Sequence, residues 1–279
     1  MKGLQGKVAV VTGASRGAGR GIAHVLGEAG ATVYVTGRST RAQLVNQLWP
    51  ETIEETAEGV TARGGLGIPV RCDHTRDEDV AALFAQVRAE QGRLEILVNN
   101  AWGGYQYDYE SFSVPFWEQP DRWNAMFTAG VRAHLNASRL AVPLLCKEPG
   151  GLIVNTTVYD RGKYLSNLYY DLAKTAVNRM AYGMALELKP HGITAVALAP
   201  GWMRTERVMD TNPSAEELTT TESPEYIGRA VLALALDPER LARSGRTLNV
   251  GDLAESYGFT DVDGRQVPTF RIPDEHLRD

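Results

Sequence analysis

Lys7-Val8-Ala9-Val10-Val11-Thr12-Gly13-Ala14-Ser15-Arg16-Gly17-Ala18-Gly19 is the stretch whose reading decides the fold. Its first half, Lys7 to Thr12, is a short β-branched apolar run, the pattern of a strand buried on both faces of a parallel sheet. Its second half is a glycine-rich turn, after which Ile22, Ala23, Leu26 and Ala29 fall on one side of a helix. Strand, glycine turn and helix N-terminus together form a phosphate cradle, because glycines let the backbone approach while exposed amides and the helix dipole favour an anion. Gly13, Ser15, Arg16, Gly17 and Gly19 are therefore candidates for binding the phosphates of a dinucleotide. A tight βα turn with no ligand is the plainer alternative.

A second strand, Thr32 to Thr36, leads into Gly37-Arg38-Ser39. An acidic residue here would suit a ribose 2′-hydroxyl, whereas arginine suits a 2′-phosphate. No acid is present, and Arg38 with Arg16 can form a guanidinium clamp, so the pattern predicts NADP(H) over two merely solvated arginines. Arg41 to Arg63 reads as helical with a break at Pro50. Further strands are expected at Leu66 to Cys72, Leu94 to Asn99, Gly151 to Thr156, Ile193 to Leu198 and Arg246 to Val250. Helices are expected from Asp77 to about Gln91, Asp121 to Leu145, around Tyr170 to Pro190, and Pro224 to Leu236. Strands alternating with helices make βαβ units. The fold class is thus α/β, a single-domain Rossmann-type doubly wound parallel β-sheet flanked by helices, with residues 1–279 as one domain. Ligands bind beyond the carboxyl ends of such strands, where Gly13, Arg38, Asp73 and Asn100 lie.

Two stretches interrupt this rhythm at the ligand edge. Residues 103–120 carry Tyr105, Tyr107, Tyr109, Phe112, Phe116 and Trp117, and read as a pocket wall, a dimer contact or a packed surface loop. Residues 202–223 are polar and anchored by prolines, a candidate mobile flap. A C-terminal extension, 252–279, ends in Asp274 to Asp279, which is expected to fray.

Chemistry is suggested by Tyr170-Asp171-Leu172-Ala173-Lys174. A tyrosine and a lysine four residues apart share one helix face, and an adjacent cation favours the phenolate, bringing Tyr170 toward a useful acid/base range. An interfacial aromatic beside a solvated charge is the bland reading of the same spacing.

Composition narrows the field. Of 279 residues 43% are hydrophobic, and 29 basic against 34 acidic residues give a net charge of -5, which offers no general attraction to nucleic acid or anionic membranes. The two cysteines and five histidines lack metal-ligand spacing, so no metal is expected. No apolar run approaches the ~18 residues of a membrane span and no signal-peptide pattern precedes the first strand, so a cytoplasmic protein is expected.

Four motifs occur in the order and at the spacings of the short-chain dehydrogenase/reductase (SDR) family: Thr12 to Gly19, Asn99-Asn100-Ala101, Tyr170 to Lys174, and Pro200-Gly201 with Thr205. The chain resembles that family over about residues 4 to 251. Ser244 to Leu248, Asp252-Leu253-Ala254, Tyr257-Gly258 and Asp261 to Arg265 extend the likeness toward one of its branches. The resemblance implies hydride transfer between NADP(H) and a carbonyl or secondary alcohol, the branch's range including steroids and other carbonyl compounds. Tyr170 would be general acid or base, Lys174 would lower its pKa and hold the ribose hydroxyls, and a hydroxyl opposite would polarise the carbonyl. Asn100, Ala101, Pro200, Gly201 and Thr205 would line the cofactor, and the protein would form dimers or tetramers, as relatives usually do. Two positions depart from the pattern. Thr157, thirteen residues ahead of Tyr170, stands where the family usually has serine, and Gly130 where it often has asparagine. These departures motivate a second reading, a cofactor-binding sensor or scaffold with little catalysis.

Overall fold

Seven short apolar runs become β1 (Val8–Val11), β2 (Thr32–Gly37), β3 (Leu66–Arg71), β4 (Ile96–Asn99), β5 (Leu152–Thr156), β6 (Thr194–Ala199) and β7 (Thr247–Asn249), all within the strands expected from sequence apart from one-residue extensions. They form one parallel sheet in the order β3-β2-β1-β4-β5-β6-β7. The computed structural model describes residues 3–104, 114–159, 162, 164 and 167–271. Chain order reverses between β1 and β4, which opens the crevice at the carboxyl edge where a ligand sits in doubly wound sheets.

The period-two alternation of the strands divides the core. Ala9, Val11, Val33, Val35, Val98 and Val154 face one side, against Ile22 and Leu26 of α1 (Gly17–Glu28) and Tyr226, Ile227 and Val231 of α8 (Pro224–Leu236). Val8, Val10, Leu97 and Ile153 face the other, against Val80, Leu83 and Phe84 of α3 (Asp77–Gln91) and Ala137, Ala141 and Leu144 of α4 (Ala133–Leu145). An amide ladder ties the central strands at the ligand edge: Asn99 Nδ2 donates to Asn155 Oδ1 at 2.9 Å, and Asn155 Nδ2 to the Val196 carbonyl at 3.3 Å. Tyr170 and Lys174 ride on α5 (Leu168–Leu188), whose N-cap Asn167 accepts from the Tyr170 amide at 3.2 Å.

Two expectations need correction. Residues 41–52 are not helical: α2 is only Ile53–Ala62, started by a capping box between Thr52 and Glu55, because that cap outcompetes any helix running through Pro50. The long helix expected from Asp121 is two pieces, with a π-helical segment Asn124–Arg132 ahead of α4. Residues 202–223 contain α6 (Glu206–Met209) and α7 (Ala215–Thr219), each started by a Thr or Ser cap. The C-terminal extension folds back onto that segment. After α9 (Val250–Tyr257), Asp261 Oδ2 accepts from the Ser223 amide at 2.8 Å and from Arg204 Nη2 at 3.2 Å. Asp274 to Asp279 and, within the aromatic stretch, Tyr105, Tyr107, Tyr109 and Phe112 lie outside the described residues.

Candidate cofactor and proton-transfer site

The carboxyl ends of β1, β2, β4, β5 and β6 open into one cleft of about 1070 Å³, lined by fourteen of the fifteen candidate residues read from the sequence, all except Gly19. Gly13, Ser15, Arg16, Gly17, Arg38, Asp73, Asn100, Ala101, Thr157, Tyr170, Lys174, Pro200, Gly201 and Thr205 all reach it. Gly19 lies beneath the cradle, where a Cβ would meet the Gly13 carbonyl and sit 2.6 Å from Asn100 Nδ2, so only glycine lets α1 start there. Thr12 Oγ1 accepts from the amides of Asn100 and Ala101 at 2.8 and 2.9 Å, and Asn100 Nδ2 donates back to the carbonyls of Thr12 and Gly13. Asn100 therefore fastens the end of β4 to the glycine turn.

Sequence reasoning missed what faces the cradle. The Gly17 amide, the expected donor to a phosphate, donates to Glu206 Oε2 at 3.0 Å, and Arg20 Nη1 lies 3.9 Å from Glu206 Oε1. A carboxylate of the same chain thus engages the amide expected to hold an anion. The Arg16 guanidinium rests on the indole of Trp49, 5.0 Å from the ring centroid, and Trp49 Nε1 donates to Asp210 Oδ2, joining residues 41–52 to the flap. Arg38 is exposed at the other wall beside Asp73. Burial opposes ionisation of the Asp73 carboxyl, yet two hydrogen bonds from Thr75 and the Arg38 charge hold it below the usual carboxylate range.

At the other end of the cleft, Lys174 is buried and Tyr170 half-buried, with the Lys174 ammonium 5.7 Å from the phenol ring centroid. Burial pulls the Lys174 pKa down to about 7. Behind them His134 accepts no charge: burial and the Lys174 cation lower its pKa to about 3, and its Nε2 bonds the Ala101 carbonyl at 3.0 Å. Thr157 is near enough to the pair to line the cleft, but its hydroxyl points elsewhere. Its Oγ1 donates to Asn178 Oδ1 at 2.7 Å, so its one proton is held by α5 and must be released before a substrate oxygen can take it. Gly130 lies in the π-helical segment against the indole of Trp102. Trp202 and Phe270 add apolar surface near Pro200 and Gly201. At the end of the aromatic stretch, Phe116 and Trp117 are exposed, and Tyr169 Oη donates to the Phe116 carbonyl at 3.0 Å. Among the described residues no group of His, Cys, Asp or Glu side chains could hold a metal ion, and no helix is long and apolar enough to cross a membrane.

Comparison with known proteins points to one family. The family profile described as short chain dehydrogenase matches residues 7–216. The mouse protein named dehydrogenase/reductase SDR family member 1 is 38% identical over 96% of this chain and 87% of its own length. A 7alpha-hydroxysteroid dehydrogenase of Clostridium sardiniense is 27% identical over 88% and 86%. Among solved structures, a short chain dehydrogenase of Mycobacterium thermoresistibile superposes with a TM-score of 0.81 at 27% identity, covering 95% of this chain and 92% of that one.

Proposed function

This chain belongs to the short-chain dehydrogenase family, and we propose that within it the chain is an NADP(H)-dependent oxidoreductase acting on a carbonyl or secondary alcohol of an apolar small molecule. Family members use nicotinamide cofactors and small-molecule substrates. The observation that carries the reading is the meeting, in one cleft, of a Tyr170/Lys174 pair with a glycine cradle and two arginines. The cradle fits a dinucleotide because Gly13, Ser15 and Gly17 line the cleft at the start of α1, and because Gly13 and Gly19, which admit no Cβ, let the turn pack closely against Ala101 and Asn100. Gly13, Ser15, Gly17 and the α1 amides hold the phosphates, Arg16 and Arg38 the 2′-phosphate, and Asp73, Asn100, Ala101, Pro200, Gly201 and Thr205 the remainder.

When bound, the nicotinamide supplies or accepts the hydride. Tyr170 gives a proton to the substrate oxygen in reduction and removes it in oxidation. Lys174, charged below its pKa of about 7, favours the phenolate and so lowers the cost of that transfer. Thr157, turned from Asn178, donates to the same oxygen as charge develops there. Trp202 and Phe270 offer an apolar wall, which suits a steroid-like or other apolar ketone. The protein is proposed to act as a dimer or tetramer in the cytoplasm.

The engagement of Thr157 with Asn178 favours, as a second reading, a cofactor-binding sensor with little turnover. Cofactor choice is tested by Arg38→Asp: the NADPH affinity should fall about 10-fold or more relative to NADH, one charge-assisted contact being worth about 1.5–3 kcal/mol. An unchanged NADPH/NADH ratio would remove Arg38 from the 2′-phosphate site. Tight NADPH binding without oxidation by any member of a broad carbonyl panel would select the sensor.

A further inference from the structure

Lys174 is 8% exposed, so water solvates its charge poorly and something else must help steady the ammonium if it is to assist Tyr170. Its nitrogen lies 4.0 Å from the centroid of the Trp102 ring. The same indole meets the Tyr170 ring edge to face, with centroids 5.7 Å apart and planes at 89°. An indole face offers negative potential without a formal charge. It steadies a cation without cancelling the positive field felt by the phenol, which a carboxylate in the same place would do.

The backbone ahead of Trp102 is fixed. Just ahead of it, the Ala101 amide is held by Thr12 and the Ala101 carbonyl by His134. Around the ring, the chain has removed side chains. A Cβ on Gly130 would lie 2.5 Å from Trp102 Cε3 and closer still to Cζ3, and one on Gly104 would lie 2.5 Å from Nε1. No residue with a side chain fits at 130 while the indole stays over the lysine. The π-helical segment Asn124–Arg132 presents Gly130 at this point.

We propose that Trp102 is the positioning residue of the Tyr170/Lys174 pair, holding the Lys174 ammonium on its face and the phenol ring in a T-shaped contact, and that position 130 is glycine to admit its ring. The inference rests on reading Tyr170 and Lys174 as the proton-transfer pair, but its physical content is the coupling of Trp102 to Lys174. Among the described residues, the titratable groups facing Lys174 are Tyr170 on its own helix and His134 on α4, and His134 stays neutral down to about pH 3. Neither the neutral phenol nor the neutral imidazole supplies the negative potential that the indole does.

The sign follows. Burial lowers the Lys174 pKa to about 7 and a cation–π contact opposes that fall. Removing the π face should therefore lower the pKa by about one further unit, because such contacts are strongest when desolvated. The test is the Lys174 pKa by ¹⁵Nζ NMR on the full chain, in the parent and in Trp102→Leu, Trp102→Phe and Gly130→Ala, each first checked for a cooperative thermal transition. Trp102→Leu should lower it by about one unit and Trp102→Phe by less. Gly130→Ala leaves the indole in the sequence but pushes it off the lysine, and should act like Trp102→Leu. With a substrate in hand, the alkaline limb of kcat for Trp102→Leu should move to lower pH by the same amount, with activity recovering toward the parent value at acid pH. A Lys174 pKa unmoved in Trp102→Leu and Gly130→Ala, or a loss of kcat equal at every pH, would overturn the inference. Should the parent turn over nothing while the pKa moves as stated, the oxidoreductase reading falls and the Trp102–Lys174 coupling stands.

Discussion

Glu206→Gln should tighten nucleotide binding. The Gly17 amide has one hydrogen to donate, and it now goes to Glu206 Oε2 at 3.0 Å. A bound pyrophosphate needs that donor and brings negative charge to the same helix N-terminus. Two unit charges ~5 Å apart repel by about 3 kcal/mol at an effective dielectric constant of ~20. The Glu206 side chain is 24% exposed, so screening and rotation toward solvent reduce that figure to about 1–1.5 kcal/mol. Affinity should then rise about 5- to 12-fold in Glu206→Gln. Arg20, 3.9 Å from the Glu206 carboxylate, would keep only Glu55 as its acidic partner among the described residues, also at 3.9 Å, and its released positive charge adds to the same trend. The assay is calorimetric titration with NADPH and with NADH. Both should gain equally, because the pyrophosphate is common to them. Glu216→Gln in α7, an exposed flap residue with the same charge change, is the control and should change neither. Binding unchanged within twofold, or weakened, in Glu206→Gln would refute the reasoning.

Other consequences can be checked on the same protein. Thr157→Val should lower kcat by about 10²-fold and Thr157→Ser by far less, as steady-state rates on a proven substrate would show, because a lost oxyanion donor costs about 2.7–4 kcal/mol where it is fully engaged. Equal rates in Thr157→Val and the parent would leave the hydroxyl with only its Asn178 bond. Glu222, buried beside Gly201, has its pKa raised to about 8, first by burial and then by Asp261. The folded chain thus keeps a proton that the unfolded chain releases near 4.5, so this group's contribution to stability falls as pH rises through that window. Urea unfolding from pH 5 to 8 should show this decline in the parent and a shallower one in Glu222→Gln. Identical slopes would contradict the assignment.

What could be read from the sequence was local. Each strand announced itself by a short run such as Leu97-Val98, and the cradle by glycines that tolerate no Cβ. Tyr170 and Lys174 shared a face because helical spacing is fixed by geometry alone. What escaped was set by partners distant in the chain. Trp102 stood in the open beside Asn100 and Ala101, but only packing brings Gly130 and Lys174 to its ring. Glu206 follows Thr205 directly, yet nothing local aims its carboxylate at Gly17. The Thr157 spacing put its residue on the cleft wall while leaving open the rotamer, which Asn178 decides. The helix expected before Pro50 failed because a periodic pattern carries no record of the cap that starts α2 at Thr52.

The central claim, that Tyr170 transfers the proton, is tested most directly by one comparison. NADPH oxidation, followed by absorbance across a panel of apolar ketones and aldehydes, should be measured for the parent and Tyr170→Phe, with NADPH affinity measured for both. The account predicts turnover by the parent and a kcat lower by about 10²–10⁴-fold in Tyr170→Phe at unchanged NADPH affinity. Equal turnover by the two proteins would contradict it.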